Sequence, residues 1–72
     1  MNNIDKFKKE VDDDYTLYEL KEDDNIYIEE CNVNGYKKYL VHNHKTNQTY
    51  PIGKFYNTIN SAINKALMIF NN

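Results

Sequence analysis

Asn34-Gly35 constrains this chain more than any other dipeptide in it. A two-residue type I′ turn needs positive φ at both central positions, and Asn-Gly meets that demand at least cost. Such a turn sets Val33 against Tyr36, and the pairing continues as Cys31 with Lys38, Glu29 with Leu40 and Tyr27 with His42. Ile26, Ile28, Tyr39 and Val41 then share the more apolar face and are expected in the core. Tyr27, Glu29, Cys31, Tyr36, Lys38, Leu40 and His42 fall on a face that stays partly open. A slip of one residue would exchange the two faces.

Around that hairpin the other elements follow from periodicity. Tyr15–Lys21 and Asn25–Val33 read as strands rich in Tyr, Ile, Leu and Val, with Glu22-Asp23-Asp24 as the turn between them. Tyr36 opens a third strand that runs to about Asn43, and His44–Gln48 is polar and turn-like. Thr49-Tyr50-Pro51-Ile52-Gly53 is a candidate fourth strand, confined to an edge by Pro51. Ile59, Ala62, Ile63, Ala66, Leu67 and Phe70 recur at helical spacing, with Thr58 as the N-cap and Phe55 before it as an anchor. At the other end Ile4, Phe7 and Val11 fall at i, i+3 and i+7. That spacing predicts a short helix over residues 2–11, capped by Asn2 or Asn3, with Asp5 in its first turn. The expected fold is α+β in the order α-β-β-β-(β)-α: a three- or four-stranded antiparallel sheet with two helices on one face. Residues 1–72 read as a single domain, and a chain this short buries roughly 60% of its unfolded surface.

The charge is unevenly spread. Residues 10–30 hold ten acids and one lysine, whereas residues 31–72 hold five lysines and no acid, although the net charge is only −2. Like charges on adjacent strands destabilise a sheet. One account is that the acids face solvent, favour solubility and discourage edge pairing. The other is a binding surface for a basic partner, formed by Asp12, Asp13, Asp14, Glu19, Glu22, Asp23, Asp24, Glu29 and Glu30, with Tyr27 among them. Acids at strand spacing with tyrosines between them can stand in for nucleic-acid phosphates and bases, a DNA mimic that steers toward a basic groove.

Catalytic and metal chemistry find little support. His42 and His44 form an H-x-H pair, but Cys31 lies about 13 Å along the strand from them, too far to share a metal. Glu29 and Glu30 surround Cys31 with the wrong field for a reactive thiolate. No enzymatic activity, cofactor or metal is expected. No apolar run approaches the ~20 residues of a membrane span. No apolar stretch follows the N-terminal lysines, and a lone cysteine suits a reducing compartment, so a cytoplasmic protein without a leader is expected. Asn47-Gln48-Thr49 fits a glycosylation acceptor, a match without meaning in that compartment. Asn, Lys, Ile and Tyr supply 35 of the 72 residues, a usage that goes with AT-rich coding in a low-GC bacterium, its phages or its plasmids.

Asn3-Ile4-Asp5 leading into Asp14-Tyr15-Thr16, an acidic three-stranded sheet, and a last helix with Phe55, Ala62 and Ala66 together resemble the small phage-encoded anti-CRISPR proteins that inhibit Cas9. The resemblance implies an inhibitor whose acids occupy the site where the nuclease grips DNA. Proteins of that kind carry acids beyond the sheet. Here they end at Glu30, so the implied role reaches the acidic residues named above only as a patch.

The leading expectation is thus a small non-enzymatic protein-binding module, an anti-CRISPR-like inhibitor presenting an acidic edge to a basic, nucleic-acid-binding effector. One alternative is direct binding of nucleic acid through Lys37, Lys38, Lys45, Lys54 and Lys65. The α-β-β-β-α order is also that of double-stranded RNA-binding domains. The chain has no arginine, the usual reader of phosphate and guanine. Another alternative is a structural homo-oligomer packed through its tyrosine face. Met68 lies off the helical stripe as a candidate surface contact.

Overall fold

The structure, a computed structural model, describes residues 3–72. A 3₁₀ turn (Asn3–Lys6) leads into five strands: β1 (Phe7–Val11), β2 (Thr16–Leu20), β3 (Ile26–Val33), β4 (Tyr36–Asn43) and β5 (Gln48–Tyr50). They form one antiparallel meander in the order β1-β2-β3-β4-β5. The helix α1 (Ile59–Asn71) packs against β3 and β4.

The Asn34-Gly35 turn behaves as its chemistry requires, with φ of 54° and 84°. The Gly35 N–H donates to the Asn32 side-chain oxygen at 3.0 Å. The register from Val33↔Tyr36 to Tyr27↔His42 is the one expected from the turn. Ile28 and Val41, opposite each other at the sheet's centre, are fully buried. Phe7, Leu20, Ile26 and Tyr39 complete the sheet's contribution to the core, and Ala62, Ile63 and Ala66 supply the helix's. Ile59, Leu67 and Phe70 pack around its margin. The two alanines have no side chain beyond Cβ, which lets α1 lie close on β3 and β4. Thr58 begins the helix in extended backbone, and its Oγ1 accepts from the Ser61 N–H at 3.2 Å.

The α-β-β-β-(β)-α plan with two helices on one face is corrected. Among the described residues the sheet has five strands and there is one α-helix. The predicted helix over residues 2–11 is a 3₁₀ turn followed by β1; Asn2, offered as its cap, lies outside the described residues. Pairing explains the difference. Ile4, Phe7 and Val11 fit a helical stripe, but Phe7, Lys9 and Val11 equally fit a period of two. A helix of ten residues is marginal by itself, so tertiary partners decide. As a strand, the segment sets Phe7 against Leu20 in the core, Lys8 against Glu19 and Lys9 against Tyr18. The Lys9 ammonium lies 5.7 Å from the Tyr18 ring centroid. Reciprocal backbone bonds between Asp12 and Tyr15, 2.8 and 3.4 Å, close the hairpin. Val11, a stripe member in the helical reading, is 69% exposed. The layout shared with anti-CRISPR proteins and with double-stranded RNA-binding domains is therefore not the one this chain adopts.

The fourth-strand candidate at Thr49–Gly53 is shorter and starts earlier, as Gln48–Tyr50, with Pro51 ending it. Tyr50 pairs with Val41, and Tyr56 exchanges two 2.9 Å backbone bonds with Tyr39. The chain between them, 51–55, bulges off the edge of β4. Lys65 of α1 sits over the Tyr50 ring at 4.7 Å, joining the helix to this edge.

Candidate protein-binding surface

Alternation along each strand sends one set of side chains to α1 and the other to a face that α1 leaves uncovered. The register aligns that uncovered set in rows across the sheet. One row runs Lys8, Glu19, Tyr27, His42, Thr49, and the next runs Glu10, Leu17, Glu29, Leu40. Acids and apolar or aromatic side chains therefore alternate at roughly the 4.8 Å strand spacing.

Glu10 and Glu19 are diagonal neighbours on this face. Partial burial raises the Glu19 pKa above the usual carboxylate range, and the field of Glu10, a hydrogen bond to it and the field of Asp24 push the same way; Lys8 opposes them. Glu29 is held differently. Its Oε1 lies 2.7 Å from His42 Nε2, and His42 Nδ1 lies 2.9 Å from Thr49 Oγ1. A carboxylate only accepts, so in the neutral imidazole Nε2 carries the proton and Nδ1 accepts from the Thr49 hydroxyl. The His42 ring stacks on Tyr27 with centroids 4.8 Å apart. This network spans β3, β4 and β5 and holds the Tyr27 ring against His42 near the start of the central strand β3. Cys31 shares the face. Burial raises its thiol pKa, and the charge of Glu29, a hydrogen bond to it and the charge of Glu30 add to the effect.

The acids named from the sequence do not form one edge. The sheet's edges are β1, which carries Lys8, Lys9 and Glu10, and β5, which carries no charge. Asp12, Asp13 and Asp14 are exposed in the β1–β2 turn. Glu22, Asp23 and Asp24 occupy the β2–β3 turn at the other end of the five-residue β2, about 17 Å away at the usual rise. There Asp23 Oδ1 accepts from the Asn25 N–H at 3.1 Å and from Asn25 Nδ2 at 3.0 Å, so it shapes the turn. Glu19 and Glu29 lie on the uncovered face beside Tyr27. Glu30 points to the helix side, where its Oε1 accepts from the Tyr18 hydroxyl at 3.4 Å. It borders a groove of about 260 Å³ shared with Asp12, Asp13, Asp14 and Lys37. Asp12 is also the largest cause of a raised pKa at the exposed Tyr15.

Glu10 and Thr49 join this surface without having been expected there, whereas His42 lies opposite Tyr27 on the open face as the hairpin register predicts. Glu10 joins it only because β1 is a strand, and Thr49 only through the β5 register. The Tyr27–His42 pairing was the one signal in the sequence that pointed to the network. His44, the other half of the H-x-H pair, is exposed in the turn after β4. Among the described residues no three His, Cys, Asp or Glu side chains come together to hold a metal ion, and no helix is long and apolar enough to cross a membrane.

The chain matches no family model, no curated protein and no solved structure.

Proposed function

We propose that this is a small non-enzymatic protein-binding module that presents the uncovered, acid-bearing face of its sheet to a basic, nucleic-acid-binding protein, acting as an inhibitor of the anti-CRISPR-like kind. The observation that carries this reading is the row structure of that face. Glu10, Glu19 and Glu29 alternate with Leu17, Tyr27 and Leu40, and none of these side chains is covered by α1. Burial is the main cause of the raised Glu19 pKa, and the field of neighbouring Glu10 adds to it, so the two carboxylates also repel. A cationic partner would relieve that repulsion, so the arrangement gains from binding what it costs in isolation.

The turns contribute differently. Asp12, Asp13 and Asp14 can extend the surface at one end and steer a partner toward it. Glu22, Asp23 and Asp24 extend it at the other. The test is affinity capture from a low-GC bacterial lysate treated with nuclease, comparing the wild-type chain with a Glu10→Gln, Glu19→Gln, Glu29→Gln variant. Basic proteins retained by the wild type and lost by the variant are the expected result. An identical set captured by both would sink the proposal.

A further inference from the structure

The uncovered face has a second chemistry at its β4 side. Leu40, Thr49, Pro51, Ile52, Lys54 and Phe55 line an apolar groove of about 420 Å³. Ile52 is 90% exposed and Phe55 39%, both on the same short bulge. Val11, Tyr15, Tyr36 and Met68 are also exposed, but none of them lines this groove. The bulge is not a loose loop end. Tyr50 is paired to Val41 on one side of it, and Tyr56 is bonded in both directions to Tyr39 on the other. Leu40, the residue between those two anchor points on β4, forms the floor. Lys38 Nζ donates to Asn57 Oδ1 at 2.7 Å, a further tie between β4 and the chain beyond the bulge. The groove is therefore shaped before anything enters it, and little ordering cost remains to be met on binding.

The groove has anionic neighbours on one side only. Glu29 is the direct cross-strand partner of Leu40, and Leu17 and Glu10 follow in the same row. At ~4.8 Å per strand, Glu29 lies about 5 Å and Glu10 about 14 Å from Leu40 across the sheet. Lys54 lies in the groove lining and Lys38 on β4. The face thus runs from apolar and cationic at the bulge to anionic at β1–β3, which gives an occupant a direction.

Building on the acidic-surface reading, we propose that the bound element is an amphipathic basic segment of the partner protein. One apolar side chain sits between Leu40 and Ile52, and lysines or arginines on one side of it meet Glu29 and then Glu10. An extended stretch of about four residues, or a helix of about nine, spans the distance. A uniformly basic surface fits less well, because Lys54 and Lys38 would repel it at the groove. So does a purely apolar peptide, which would leave the acids unmatched.

The probes are two capped pentapeptides of equal charge, Phe-Lys-Ser-Lys-Lys and Ser-Lys-Ser-Lys-Lys, titrated into the isotope-labelled chain at low salt. The expected result is amide shifts at Leu40, Ile52, Gly53 and Phe55 together with Glu29 for the first peptide. Its affinity should exceed that of the second by about tenfold, the scale of one buried aromatic side chain. Ile52→Ser, at a position too exposed to matter for folding, should remove that advantage and leave the second peptide's affinity unchanged. Equal affinities, with salt-sensitive shifts confined to the acids, would overturn the groove proposal and leave the acidic-surface reading standing. Shifts from neither peptide anywhere on the face would overturn both.

Discussion

Phe7 and Val11 belong to one stripe if the first segment is a helix and to different environments if it is a strand, so truncating each in turn tests the fold where sequence and structure part. Phe7 is 6% exposed, sits opposite Leu20 and belongs to the core cluster. Phe7→Ala removes a buried ring and leaves a cavity, a change that costs about 3–5 kcal/mol. Because β1 is an edge strand, the surroundings can close in, which favours the lower figure of about 3 kcal/mol. A chain of 72 residues has about 4–11 kcal/mol of stability in all, so this one change removes a large share of it. At about 4–8 °C per kcal/mol the melting temperature should fall by about 12–24 °C. Val11→Ala should cost under about 1 kcal/mol, since Val11 is 69% exposed and loses only strand preference. Thermal and urea unfolding followed by circular dichroism measure both. Equal losses for Phe7→Ala and Val11→Ala would refute the strand and restore the helical stripe.

Glu19→Gln should raise the melting temperature at pH 7 in low salt. The folded-state pKa of Glu19 is raised, so its contribution is most favourable at low pH and is lost as pH rises through that raised value. The advantage of the glutamine variant should therefore shrink as pH falls from 7 toward the ordinary carboxylate range, and a constant advantage would contradict the cause assigned. Cys31 in the folded chain should react with iodoacetamide more slowly than in urea, because burial and Glu29 hold it as a thiol; matching rates would be inconsistent with that. Thr58→Ala should cost about 1 kcal/mol through loss of the cap on α1, while Thr58→Ser should stay close to wild type in the same unfolding measurement.

The parts of the fold legible in the sequence are those set by local chemistry. Asn34-Gly35 determines its own turn, and the turn determines the β3–β4 register. The apolar stripe from Ile59 to Phe70 has no competing period, so α1 was readable down to its Thr58 cap. The N-terminal segment had two competing periods. What resolves them is Leu20, thirteen residues beyond Phe7, together with the Asp12–Tyr15 turn that brings the two strands together. Long-range pairing of that kind leaves no local mark. The candidate surface divides in the same way. Glu29, Glu19 and Tyr27 were visible as acids and an aromatic at strand spacing. His42 joins them through the same β3–β4 register, but their association with Glu10 and Thr49 depends on β1 and β5, the two strands least evident from pattern. The groove by Leu40 required knowing that Tyr56 returns to Tyr39, a contact across seventeen residues with no signature in composition.

The central claim is that the uncovered face binds a basic protein through its carboxylates. The most direct measurement is the dissociation constant of a captured partner, from low to high salt, for the wild-type chain and for the Glu10→Gln, Glu19→Gln, Glu29→Gln variant. Exposed charge pairs are screened over about 10 Å at 0.1 M salt and more tightly above it. The expected result is wild-type affinity that weakens steadily with salt, and a variant that binds more weakly at low salt with a shallower dependence. Affinity that is independent of salt, or two curves that coincide, would contradict the claim.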